Sequence, residues 1–339
     1  MFRLILLVSL FALCTGCSRP SDTHSAPAPN PAANQPNASL PKEKETPRKE
    51  TPSKETQPKE APATATDSDA KAIAFVKGMD GQIRRDDDQS GKPVVKIHLG
   101  ATKITDAGLK ELAPFTKLTE INLNTTNITD AGLKELAVLK NLTSINLNNT
   151  PVTDAGLKEL TPLSKLAELK LQGTKVADAG LKELTALKSL TRLDLIDTLV
   201  TDAGLKELAM LTNLTELYLS ETKVTDEGLK ELAPLTKLTL IMLAETKITD
   251  QGLRALAPFK NLTLIHLTDT AVTDAGLKEL APLKSLVEIR LKGTKITDAG
   301  LKELTPLKSL IYLNLEDTKV TDVGTNELLK SLPKCMITK

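Results

Sequence analysis

The eight residues TDAGLKEL stand unchanged six times in this chain, beginning at Thr105, Thr129, Thr153, Thr201, Thr273 and Thr297. Altered copies beginning at Ala177, Thr225, Thr249 and Thr321 fill the gaps, so that ten copies follow one another at a constant spacing of 24 residues. No other feature restricts the fold so strongly. A fixed period of this length is the mark of a solenoid. Each unit holds one strand and one short convex element, neither of which can bury its apolar side alone. Neighbouring units must stack to form one elongated core.

The positions of one unit, Thr105 to Ile128, divide the labour. Ile121 and Leu123 alternate with polar neighbours, the pattern of a strand buried on one face. In a solenoid such strands form a parallel sheet. Thr126 follows, and a Thr fills that place in every unit from Thr102 to Thr318; its hydroxyl can bond backbone groups that the strand ladder leaves open. Thr129 or Asp130 can cap a short helix, and Asp130 stands where the helix dipole favours a carboxylate. Leu133 and Leu136 turn inward while Lys134 and Glu135 point to water. Gly132 recurs in all ten copies, although glycine inside a helix costs about 1 kcal/mol relative to Ala. Strands about 5 Å apart would bring adjacent convex segments close enough to require it. TDAGLKEL is therefore expected to be a stacking surface and not a site of chemistry.

Composition narrows the function. Within 339 residues there is no Trp, and there are only two Tyr and five Phe, so the core must be Leu and Ile. Lys and Arg number 44 against 43 Asp and Glu, leaving no basic excess for a phosphate backbone; nucleic acid is not an expected partner. Of the three histidines, His98 and His266 are separated by seven repeats and His24 lies far upstream, and no Ser or Cys has a base beside it. Neither catalysis nor a cofactor is expected. The stretch DDDQSG, Asp86 to Gly91, matches the first half of a calcium loop, but the place of the bidentate Glu falls on Ile97, which the first strand needs for its core; a solvated turn is expected. N-x-S/T sites such as Asn141 and Asn213 are by-products of the repeat.

Ahead of the repeats the character changes. MFRLILLVSLFALCTGCSRP carries Arg3, an apolar run from Leu4 to Leu13, and small residues before Cys17, a secretory signal too short for a lasting membrane span. Residues 18–67 are rich in Pro, Ala, Thr, Lys and Glu, with the near-repeat KETPRKETPSKETQPKE, and have too little apolar surface to offset chain entropy; they are expected to form a disordered tether. DAKAIAFVKGMDGQIRR, within residues 68–93, reads as a short helix and a strand that cover the open N-terminal edge of the array. The repeat domain runs from 94 to 339, with a C-terminal cap from about Thr321, where the spacing is expected to shorten by two residues so that Cys335 and Ile337 keep the inward strand positions. Cys335 is expected to be a buried small apolar residue and not a reactive thiol.

The unit L-x-x-L-x-L-x-x-[NCT]-x-[IL], here LTEINLNTTNI and its relatives, resembles the leucine-rich repeat family over Val94 to Lys339. Copies with ITDAGL are similar to its cysteine-containing subtype, found beside F-boxes and in many bacterial exported proteins. The resemblance implies an α/β solenoid, a right-handed horseshoe of about ten 24-residue units with a parallel sheet on the concave side, short helices on the convex side, and protein binding as the usual role. The segment LCTGC resembles a bacterial lipobox, with Cys14 where Leu is commonest. That resemblance implies cleavage before a lipidated Cys17, and Ser18 after it implies retention at the outer membrane of a diderm bacterium.

On the concave sheet, outward positions flank the inward Ile and Leu. Polar residues dominate both ends of the array, but in the middle the columns turn apolar together at Ile196, Tyr218, Leu240, Met242, Ala244 and Leu264, beside His266. Those side chains are not needed for the core, and such a patch commonly marks a partner site. The expectation is an exported, lipid-anchored monomer, touching the membrane through its N-terminal lipid only, that binds a protein partner at Ile196, Tyr218, Leu240, Met242, Leu264 and His266. The alternative is a passive envelope spacer, its patch a product of drift among duplicated repeats.

Overall fold

The computed structural model describes residues 67–339. The signal segment, Cys17 and nearly all of the expected tether lie outside the described residues.

Two elements precede the repeats, helix α1 (Asp67–Gly78) and strand β1 (Gln82–Arg85), and the first repeat strand is β2 (Val94–His98). The remaining strands have three residues each: β3 (Glu120–Asn122), β4 (Ser144–Asn146), β5 (Glu168–Lys170), β6 (Arg192–Asp194), β7 (Glu216–Tyr218), β8 (Leu240–Met242), β9 (Leu264–His266), β10 (Glu288–Arg290), β11 (Tyr312–Asn314) and β12 (Met336–Thr338). They form one twelve-stranded sheet in chain order among the described residues. From β2 to β12 every pairing is parallel and joins residues 24 apart, such as Ile121 with Ile145 and Leu217 with Ile241. The repeat strands thus form the expected parallel sheet, and the capping strand adds an antiparallel edge to it. Strand β1 runs antiparallel to β2, with a register break between Arg84 and Arg85.

The core is a continuous column behind the sheet. In one unit Ile121, Leu123, Ile128, Leu133, Leu136, Leu139 and Leu142 are at most 1% exposed, and the same seven places are buried unit after unit. Each such side chain contributes about 1.5–3 kcal/mol of burial, so leucine stacked on leucine carries the stability that aromatics supply in ordinary domains. Val76 and Ala72 of α1 join this column at the N-terminal end. At the turn after each strand from β2 to β11 a Thr, buried in all but the first and last of these turns, closes the bend within its own unit. Thr126 Oγ1, for example, donates to the Leu123 carbonyl at 2.6 Å.

The convex segments are short helices, α-helical in most units, as at Asp130–Leu136 and Asp202–Leu208, and 3-10 in the first, Asp106–Leu112. Thr129 caps its helix by accepting a bond from the Ala131 N–H at 3.3 Å. The neighbouring Asp does something the sequence did not reveal: its carboxylate crosses to the next unit. Asp130 Oδ1 accepts from the Thr153 N–H at 2.8 Å and Asp130 Oδ2 from the Thr153 hydroxyl at 2.6 Å. The same pair of bonds recurs down the array, as between Asp178 and Thr201. At the far end the Thr321 hydroxyl, and then its N–H, hold the carboxyl of Asp298 below the usual carboxylate range. Gly204 shows why glycine follows two residues later. A Cβ there would stand 2.5 Å from Asp178 Oδ1 and 2.8 Å from Leu181 Cδ1.

At the C-terminal end the expected shortening does not occur. Leu313 pairs with Ile337 at the ordinary spacing of 24, so Ile337 takes the first inward place and Cys335 lies one residue ahead of the strand. Cys335 is buried, and burial pushes its thiol up to about 11.

Candidate partner-binding face

Every strand from β3 to β11 shows the same exposure, one fully buried residue between two half-buried ones. The outward pair is therefore held by the backbone ladder whatever its chemistry, and its identity is free to differ between units. The parallel register sets the neighbours: Leu240 stands beside Leu264, and Tyr218, Met242 and His266 form a row. Ala244, 7% exposed, lies two residues beyond the end of β8. Ile196 belongs to the same column as Ala244 but is parted from it by Ser220, whose hydroxyl accepts from the Ala244 N–H at 3.2 Å. Of the expected partner residues, five therefore adjoin one another and Ile196 stands one unit away.

Charge surrounds this island. On the N-terminal side Arg192 lies between two carboxylates, with Nε 2.9 Å from Glu216 Oε2 and Nη1 3.6 Å from Glu168 Oε1. Lys170 is 3.2 Å from the same Glu168 oxygen, and Ser144 donates to Glu168 Oε2 at 2.7 Å. Burial alone would raise the Glu168 carboxyl, but the Ser144 hydroxyl, Lys170 and Arg192 outweigh it and hold the group low. On the C-terminal side Arg290 Nε donates to Glu288 Oε1 at 2.6 Å, and Lys292 lies 3.1 Å from Glu316 and 3.4 Å from Asp317. Tyr218 is the hinge between island and network. Its hydroxyl donates to Glu216 Oε2 at 2.6 Å and accepts from Arg192 Nη2 at 3.3 Å, while on the next strand it is in register with Met242. Burial and the bond to Glu216 push that phenol up to about 12.

His266 completes the apolar island because it is uncharged. Burial, and then the nearby Arg290 guanidinium, bring its imidazole down to about 4, so it is neutral at pH 7. Its Nε2 lies 2.8 Å from Thr268 Oγ1, and Nδ1 has no partner among the described residues.

Sequence reading missed one column of this face. The residue just before each buried Thr adopts a left-handed backbone, with φ of 56° at Thr125, 59° at Glu221, 55° at Glu245 and 66° at Gly173. Gly173 and Gly293 were a signal for it, as was the frequency of Asn and Asp at the same place.

Elsewhere, the DDDQSG segment forms a turn in which Asp86 is used locally. Its Oδ1 accepts from the Asp88 N–H at 3.1 Å and its Oδ2 from Gln89 Nε2 at 2.7 Å. No cluster of metal-ligating side chains is present among the described residues.

Four stretches, residues 116–137, 138–160, 211–233 and 260–281, match the family model described as Leucine Rich repeat. No curated protein matches the chain in sequence. Among solved structures, an internalin (inlF) from Listeria monocytogenes is similar at 20% identity and a TM-score of 0.47, covering 78% of this chain and 93% of its own. The plant peptide hormone receptor RGFR1, in complex with RGF2, is similar at 17% identity and a TM-score of 0.50, over 76% of this chain and 40% of its own. The repeat matches, the 24-residue strand register and the likeness to the plant receptor define the fold as a leucine-rich repeat solenoid.

Proposed function

We propose that this protein is a binding module whose outward sheet face takes a protein partner at the island of Tyr218, Leu240, Met242, Leu264 and His266, with Ile196 at its margin. The observation that carries the reading is the contrast on one face. Side chains that the core does not use are uncharged at Tyr218 and at both outward places of β8 and β9, while Glu216 and the charged residues of both flanks are tied up in ion pairs. Apolar groups held half-exposed on a rigid ladder lose little conformational freedom on binding, which makes them good anchors. Leu240→Glu should leave the thermal midpoint near that of the wild type, because the position faces outward, and cost more than about 1 kcal/mol of affinity by burying an unpaired charge at the contact. Glu120→Leu, in the same column five units away, should leave capture nearly level. Equal capture of membrane-extract proteins by wild type and Leu240→Glu, after cross-linking, would sink the reading in favour of a spacer without a ligand.

The module is further proposed to be exported and tethered through a lipid on Cys17, for which the support is the segment LCTGC after an apolar run. No described helix is long and apolar enough to cross a membrane. Replacing Cys17 by Ser should abolish incorporation of labelled fatty acid. Label retained by that variant removes the anchor.

A further inference from the structure

The left-handed column beside the island carries a second pattern. Reading along the array, the residue before each turn Thr is Ala101, Thr125, Asn149 and Gly173, then Asp197, Glu221, Glu245 and Asp269, then Gly293 and Asp317. Four acidic residues thus follow one another in four consecutive units, after four units with no charge at that place. Those four units are the ones that contribute Ile196, Tyr218, Met242, Ala244 and His266 to the uncharged part of the face. Equivalent places on a parallel ladder repeat at about 5 Å. The carboxylates therefore make a ridge along one border of the island.

Three observations separate this ridge from ordinary surface charge. The first is pairing. All strand carboxylates but Asp194 have cations: Glu120 has Lys96, Glu168 has Lys170 and Arg192, Glu216 has Arg192 and Glu288 has Arg290, while beyond β11 both Glu316 and Asp317, the latter in the same left-handed column, have Lys292. None of the four ridge carboxylates has a cation within ion-pair distance among the described residues. The second is mutual repulsion. Partial burial, and then the charges of Glu245 and Asp197, raise the Glu221 carboxyl above its ordinary value. The third is backbone cost. Glu221 and Glu245 hold φ of 59° and 55°, a region that favours Gly and Asn over a long side chain. Their charge is kept at a place where conformation argues against them.

We infer that the ridge and the island form one docking surface for an extended basic-and-apolar peptide segment of a partner protein, with apolar side chains on Leu240, Met242 and Leu264 and Lys or Arg side chains over Asp197, Glu221, Glu245 and Asp269. This deepens the proposed function and rests on it: the island supplies the anchor and the ridge selects the charge. The complementarity is one-sided. A phosphate-rich or acidic segment would meet four unpaired carboxylates, whereas a cationic one would relieve the repulsion among them and gain steering over roughly a Debye length of 10 Å at 0.1 M salt.

The test uses three fluorescent peptides of equal length: an apolar Leu-Met run flanked by Lys, the same run flanked by Glu, and a Ser run flanked by Lys. Binding is read by anisotropy on the full chain at low and high salt. Wild type should prefer the first peptide over both others by about tenfold or more and lose several-fold of that affinity in high salt. The combined variant Asp197→Asn, Glu221→Gln, Glu245→Gln, Asp269→Asn should keep its circular dichroism, lose the preference for Lys over Glu flanks, and lose the salt dependence. Should that variant bind the Lys-flanked peptide as wild type does while Leu240→Glu does not, the ridge is overturned and the island stands. Equal binding by wild type and both variants overturns both readings, as does failure of wild type to bind the Lys-flanked peptide. Equal affinity of wild type for the Lys-flanked Ser run would also overturn the joint surface, leaving only diffuse charge attraction.

Discussion

The convex and sheet faces of this solenoid are built from the same ten units yet obey different rules. On the convex side the sequence hardly changes from unit to unit, and on the sheet face the outward residues share almost nothing. The difference follows from what each side chain touches. Asp202 and Thr225 bond one another across a unit boundary, through Oδ1 to the Thr N–H at 2.7 Å and Oδ2 to the hydroxyl at 2.6 Å, so each residue is fixed by its neighbour's copy. Tyr218, Met242 and His266 are set side by side by the backbone ladder, and the ladder does not depend on their identity. Repetition within the chain therefore marks architecture, and departure from repetition marks the face on which binding can be written.

This comparison can be broken most forcefully at Gly204. Valine there must displace the Asp178 carboxylate, 2.5 Å from the new Cβ, and push against the backbone Cα of Asp178 at 3.2 Å. The displaced Asp178 would then lose its two bonds to Thr201. Overpacking of this kind costs typically 1–3 kcal/mol, and the lost charge-assisted bonds add about as much again. Gly204→Val is expected to destabilise the array by several kcal/mol, seen as a lowered urea midpoint. An unchanged midpoint would mean that the glycine is not held by close approach, and that the uniformity of the convex side has another cause.

Much of the architecture could be read from the chain because periodicity reports burial directly. Leu133 and Leu136, Ile121 and Leu123 fell where the pattern put them. The close approach at glycine followed from strand spacing. Three things were not legible. Asp130 looked like a helix-dipole residue, because nothing in one copy reveals a bond to a residue 23 places on. The left-handed turn was disguised by Thr125, Glu221 and Glu245, which tolerate a conformation they do not advertise. The cap at Cys335 was misaligned because the extra residues of the final helix, Asp322–Ser331, absorb what looked like a missing pair, and the strand keeps its register. On the sheet face, sequence gave the position of the apolar run but not the ion pairs beside it. Those depend on which of several long side chains reach across to the next strand, as Arg192 does to Glu216 and Glu168.

The gentlest perturbation sharpens the comparison at its one natural exception. Ala177 stands where other convex segments begin with Thr. Its N–H still donates to Asp154 Oδ1 at 2.7 Å, but Asp154 Oδ2 has no hydroxyl to accept from, and the helix Asp178–Leu184 has no side-chain cap. The backbone is ready for the missing residue: φ is −131° at Ala177 and −125° at Thr201, which makes both bonds. Ala177→Thr should therefore add a cap to the Ala179 N–H and a hydroxyl bond to Asp154 without moving the chain. The cap and the bond at this half-exposed place together are worth about 1–2 kcal/mol. In a solenoid, where each unit contacts only its neighbours, that gain should appear as strengthening of the boundary between the units of Asp154 and Ala177. Hydrogen exchange is the direct measurement. Amides of Asp154–Leu160 and Asp178–Leu184 should gain protection in the variant, and those near Asp298 should not change. No gain at that boundary would show that the Asp–Thr bonds follow from stacking that the leucines already provide, and the invariance of the convex side would then have to be sought in the leucines and the glycine alone.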